Sequence, residues 1–196
     1  MRDASGETRE DTDVSAHVPI PVVSIVGKSD SGKTTFLEKL IAELAGRGWR
    51  IATAKHHVHE FDIDVPGKDS WRHRQAGAVT AMVCSPAQFA LMRDVDREFT
   101  LDELAEQAAA CGADILLTEG FKRVARVRIE IARKERSSEL ISVRDELVAL
   151  VTDDSHDVGD VPVFSLDDAA AVADLVEREF LGGSSARPGG GESRGD

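Results

Sequence analysis

Between residues 19 and 181, short β-rich apolar runs alternate with stretches in which apolar residues recur every three or four positions. That alternation predicts βα units wound into an α/β fold, a mostly parallel twisted sheet flanked by helices. Val22 to Val26 is almost continuously apolar, as expected of a strand covered on both faces. The next segment puts Phe36, Leu37, Leu40, Ile41 and Leu44 on one helical face, with Gly46 and Gly48 as the stop. Ile51 to Ala54 reads as a second short strand, and His56 to Lys68, polar and carrying Pro66-Gly67, as a surface loop. A short helix is expected over Ser70 to Ala76. Val79 to Cys84 and Phe89 to Met92, flanking Ser85-Pro86-Ala87, predict a β-hairpin extension. Thr100-Leu101-Asp102-Glu103 has capping-box spacing and marks a helix start. Ile115 to Thr118 and Leu147 to Thr152 are buried-strand patterns, and Val127 to Ala132 alternates apolar and charged residues. Val163-Phe164 leads past Asp167 and Asp168, candidate N-caps, into a helix whose inward face carries Val172, Leu175, Val176 and Phe180.

The ends lack these patterns. Residues 1–18 form a charged tail poor in large apolar groups, and residues 182–196 a Gly/Ser-rich one. Neither can bury enough surface to offset its ordering entropy, so both are expected to be disordered. With 196 residues, the chain suits one domain with a real core, residues 19–181. A net charge of -12 disfavours nonspecific attraction to nucleic acid or an anionic membrane. No run approaches the roughly 20 apolar residues that span a bilayer, and the start lacks a signal-peptide layout. A cytoplasmic location is the expectation. Cys84 and Cys111 lie in apolar surroundings without CxxC spacing and read as buried thiols.

The clearest chemistry lies where the first strand meets the first helix. Gly27-Lys28-Ser29-Asp30-Ser31-Gly32-Lys33-Thr34 is a complete GxxxxGK[ST] loop, the signature of a P-loop NTPase fold. A nucleoside triphosphate needs several backbone amides at close range and a fixed cation beside its terminal phosphates. Gly27 and Gly32 permit the close approach that a Cβ would hinder, Lys33 can reach the β and γ phosphates, and Thr34 offers a hydroxyl to Mg²⁺. Thr35 is either an α-phosphate contact or an ordinary first-turn residue. Lys28 is a solvated lysine or a residue acting across a subunit boundary, although Ser29 and Asp30 replace the paired glycines of proteins that work that way.

A second carboxylate near Mg²⁺ is expected at the end of an adjacent buried strand, and Glu119, followed by Gly120, is the candidate. Its being Glu rather than Asp departs from the usual pattern, and a solvated loop carboxylate is the alternative. Lys122 either adds charge beside the same phosphates or reaches solvent. The loop from His56 to Asp64 invites a zinc reading, but its spacing fits no closed structural site. A phosphate-facing loop, with Asp62 and Asp64 touching the Mg²⁺ shell or orienting an attacking water, competes with a merely solvated one. The basic stretch Lys68 to Ala78 either holds a phosphate-rich ligand or is a surface helix anchored by Trp71.

Taken together, the P-loop, the His-rich loop, Pro66-Gly67-Lys68-Asp69-Ser70, Gln75-Ala76-Gly77-Ala78 and Thr118-Glu119-Gly120-Phe121-Lys122 resemble the MobB family of molybdopterin-guanine dinucleotide biosynthesis adapter proteins. The resemblance runs from about Pro21 to Phe180. It implies GTP as the nucleotide, a homodimer, weak GTPase activity, and association with the MobA guanylyltransferase that couples GMP to molybdopterin. In that light Asp153, in Val151-Thr152-Asp153-Asp154, stands where P-loop GTPases read the base, though no NKxD motif is present and a strand-ending turn is the alternative. The competing function is a P-loop kinase for a small-molecule acceptor; no clear arginine-rich lid segment is seen, though Arg123, Arg126 and Arg128 keep that reading open.

Overall fold

The computed structural model describes residues 19–57, 63–136 and 139–182; His59, Asp62 and all of the expected tails but Gly182 lie outside the described residues. In chain order the elements are β1 (Val22–Val26), α1 (Lys33–Gly46), β2 (Ile51–Lys55), α2 (Asp69–Gln75), β3 (Thr80–Cys84), β4 (Phe89–Arg93), α3 (Leu101–Ala110), β5 (Ile115–Glu119), β6 (Arg128–Ala132), β7 (Leu147–Thr152), β8 (Val163–Phe164) and α4 (Ala169–Phe180). Six strands form one sheet in the order β2-β5-β1-β6-β7-β8, every neighbouring pair parallel. Because β1 lies centrally and its two neighbours arrive much later in the sequence, the loop leaving it opens at the C-terminal edge, where such sheets bind ligands.

The pleat sorts the core. Val23, Ile25, Ile115, Leu117, Ile129, Ile131, Ala149 and Val151 face α1 and α4, which contribute Phe36, Leu40, Leu44, Val172 and Val176. Burying those side chains is the main source of stability on this face. Arg47 clamps the two helices through Glu43, Asp174 and Glu177, while Trp49 Nε1 donates to Glu177 Oε1 at 2.5 Å. On the opposite face α3 packs Ala105 and Ala108 against Leu116. Its start is the expected capping box, with Thr100 Oγ1 accepting from Glu103 N at 3.2 Å and Glu103 Oε2 accepting from Thr100 N at 2.9 Å.

The structure resolves one open pattern and overturns one expectation. All of β6 is buried, including its charged residues. Arg128 pairs with Glu146 at 2.7 Å and donates to the Ala125 carbonyl, while Glu130 accepts from the amides of Ile141 and Ser142 at 2.8 and 2.9 Å. The covering segment after β6 satisfies charges that the alternating pattern alone would have placed in water. Cys84 and Cys111 are both exposed, not buried. Cys84 ends β3, and the β3–β4 hairpin is a separate two-stranded sheet in which Ala81 is buried while most of the other apolar side chains are exposed. Val79, Met82 and Phe89 are 85%, 63% and 66% exposed.

Candidate functional site

β1 delivers the chain into the loop at Gly27, whose φ is 148° and where a Cβ would lie 2.8 Å from Ser31 Oγ and closer still to the Ile131 carbonyl oxygen. The loop is therefore seated directly on β6. It closes at Gly32, φ 92°, which caps α1 without any side-chain hydrogen bond. The first amides of α1 therefore receive no side-chain cap from Gly32, and the helix dipole favours negative charge there.

Lys33 folds over the loop and donates to the Lys28 carbonyl at 2.5 Å. Partial burial, then the neighbouring positive charge of Lys122, hold its ammonium below the ordinary lysine range, opposed by Glu119 and Asp30. A cation so placed gains by meeting phosphate oxygens. Thr34 Oγ1 lies 3.0 and 2.9 Å from the two carboxylate oxygens of Glu119. Thr34 lies in the first turn of α1 and Glu119 ends β5, so the motif residue and the carboxylate expected beside it do converge. Hard oxygen donors of this kind suit Mg²⁺, with phosphate and water completing the shell. Both the glycine cradle and the hydroxyl–carboxylate pair fit a Mg²⁺–nucleotide.

Lys55 was absent from the expected set. It ends β2 in register with Glu119 and pairs with it at 3.2 Å. Gly120 follows, its amide bonded to the Ile25 carbonyl at 3.1 Å. Phe121 is buried and packs against His56 with ring centroids 5.0 Å apart and the rings tilted by 48°, while His56 Nε2 lies 2.6 Å from Glu98. Asp64 is 9% exposed, and its Oδ1 accepts from Ser70 Oγ at 2.8 Å and Val65 N at 3.0 Å, which anchors the turn before α2. Among the described residues no group of three His, Cys, Asp or Glu could hold a metal ion. Lys28 reaches Glu139 at 3.6 Å, and Ser29, Asp30 and Thr35 are exposed on the loop and the first turn of α1. Asp153 directly follows β7, and its Oδ1 accepts from Lys134 N at 2.8 Å, tying the chain after β6 to the chain after β7. The burial of Arg128 against Glu146 removes one of the three arginines that a kinase lid would use.

This sheet order, with a glycine-seated loop between β1 and α1 and a hydroxyl–carboxylate pair beside it, defines an α/β protein of the P-loop NTPase type. The profile of one family, MobB, described as molybdopterin guanine dinucleotide synthesis protein B, matches residues 22–153. The chain belongs to that family. Similar proteins include the molybdopterin-guanine dinucleotide biosynthesis adapter protein of Haemophilus influenzae, 34% identical over 158 residues that cover 81% of this chain and 88% of the relative. The Escherichia coli protein of the same name is 36% identical over 162 residues, 80% of this chain and 91% of the relative. A crystal structure of Bacillus subtilis MobB superposes with a TM-score of 0.67 at 30% identity, covering 83% of this chain and 99% of that one. Among the described residues no helix is long and apolar enough to cross a membrane.

Proposed function

We propose that the chain acts in molybdopterin-guanine dinucleotide biosynthesis as a GTP- and Mg²⁺-binding adapter to a MobA-type guanylyltransferase that attaches GMP to molybdopterin. The adapter role in this biosynthesis comes with family membership. The observation that supports the nucleotide part is the meeting of Thr34 with both oxygens of Glu119, next to a lysine held over the loop. In this reading the amides of the loop and of the first turn of α1 enclose the β phosphate, Lys33 neutralises the terminal phosphates, and Thr34 and Glu119 hold Mg²⁺ directly or through water. The metal would supply charge neutralisation and orientation of the phosphate oxygens. Asp64 sits on the loop that answers the nucleotide state, and Asp153 is the base-side carboxylate. Weak GTP hydrolysis accompanies the switch.

The adapter also works as a homodimer in this proposal. Exposed apolar residues on a hairpin outside the main sheet form the kind of patch that a second copy covers. Titration of GTP and ATP with and without Mg²⁺, followed by product analysis with candidate acceptors, tests the whole. Mg²⁺-dependent GTP binding with slow phosphate release is expected. A phosphorylated acceptor would replace the adapter reading with a kinase.

A further inference from the structure

One cation beside the loop has no part in the site so far. Arg133 follows the last residue of β6, and its guanidinium lies against the loop: a Cβ built on Gly32 would be 3.2 Å from both its Nε and its Nη2. Arg133 Nε is buried and has no hydrogen-bond partner among the described residues, and the same holds for Ser31 Oγ, on a loop residue 1% exposed. Both side chains line one small crevice between the loop and β6. The carboxylates bordering it are already engaged, Glu130 by two backbone amides and Glu139 by Lys28. A buried charged donor left without an acceptor is costly, and a ligand that completes it explains its retention.

Position along the sheet indicates which part of a ligand it would meet. Glu119 on β5 lies to one side of β1 and marks the terminal-phosphate end with Thr34 and Lys33. Arg133 follows β6 on the other side, one strand short of Asp153, which follows β7. Its charge is also felt at Asp167, before α4, whose carboxyl is held below its ordinary value first by the Lys39 hydrogen bond and charge and then by Arg133. The guanidinium thus stands between the phosphate loop and the strand ends where a base would lie.

We infer that Arg133 is a nucleotide-binding residue that contacts the α-phosphate, opposite the end of the polyphosphate held by Lys33, Thr34 and Glu119. This rests on the loop binding a nucleotide at all. A planar guanidinium can give two donors to one phosphate, a geometry that an ammonium does not reproduce. The α-phosphate is common to GMP, GDP and GTP, so its loss has a distinct signature.

The test titrates these three nucleotides, with Mg²⁺, against the unaltered protein, Arg133→Gln and Arg133→Lys, with melting curves alongside. Arg133→Gln should weaken all three by a similar factor, about tenfold to a hundredfold, as for loss of a charge-assisted hydrogen bond. Arg133→Lys should fall between. Unchanged affinities, or a loss confined to GTP, would overturn the assignment. If Arg133→Gln does not fold, phosphorus NMR of bound GDP decides with Arg133→Lys: the α resonance should move against the unaltered complex while the β resonance stays. Two unmoved resonances would refute the contact. An unaltered protein that binds none of the three would mean instead that the nucleotide reading has failed.

Discussion

The seat of the phosphate loop on β6 can be tested with one methyl group. At Gly27 a Cβ meets the Ile131 carbonyl oxygen and Ser31 Oγ below any distance that real Cβ atoms adopt, at a φ of 148° that L side chains rarely take up. Ile131 is wholly buried in a central strand, so its carbonyl cannot retreat without breaking the sheet. Backbone strain of about 1–3 kcal/mol and overpacking of about 1–3 kcal/mol place Gly27→Ala at roughly 2–6 kcal/mol of destabilisation. At about 3 °C per kcal/mol for a domain of this size, that is a fall in melting temperature of about 6–18 °C. At Gly32 the φ of 92° is also strained, but the added Cβ meets only the Arg133 side chain, at 3.2 Å, and a side chain can swing away. Gly32→Ala should therefore cost less stability than Gly27→Ala, while both weaken triphosphate binding. Thermal unfolding by circular dichroism without nucleotide, then with GTP and Mg²⁺, measures both effects. A Gly27→Ala shift under about 2 °C, or a larger shift for Gly32→Ala, would refute the seating argument.

Lys33→Ala should weaken GTP binding by about tenfold to a hundredfold and GDP binding far less, if the ammonium serves the γ phosphate; calorimetric losses of equal size would exclude that contact. The Glu103 carboxyl is held at about 2, against an ordinary 4.5, first by the Arg97 hydrogen bond and then by the Thr100 amide. A depressed carboxyl stabilises the fold fully above pH 4.5 and loses that contribution as pH falls toward 2, so Glu103→Gln should flatten this part of a melting-temperature profile, and parallel profiles would count against it. Leu91→Glu, on an exposed position of the hairpin opposite Met82, should convert a dimer to a monomer in sedimentation with little change in melting. A dimer that survives it would remove the hairpin from the interface.

The parts of the site that are contiguous in sequence were legible there. The loop from Gly27 to Thr34 carries its meaning in local spacing, and Glu119 could be found because it ends a run apolar enough to be a central strand. The capping box at Thr100 is likewise local. Lys55 escaped because its meeting with Glu119 depends on the register between β2 and β5, whose residues lie far apart in the chain. Arg133 escaped for a similar reason, since only the pairing of β6 beside β1 brings it against Gly32. The burial of Arg128 and Glu130 depends on a covering segment that hydrophobic periodicity cannot reveal. Cys84 was misread because an apolar hairpin looks the same in sequence whether or not its strands are covered, and Cys111 because it caps the exposed end of α3. Asp62 lies outside the described residues, so its place relative to Glu119 rests on the sequence.

The long excursion that carries the hairpin leaves from β2 and returns to β5, its immediate neighbour in the sheet. The two ends of that excursion are therefore stitched together by backbone hydrogen bonds whatever the arm between them does. Such an outrigger can be lengthened, reshaped or gripped by another molecule while the central strands keep their alignment. A small parallel core so built can change its surface contacts without relearning how to fold.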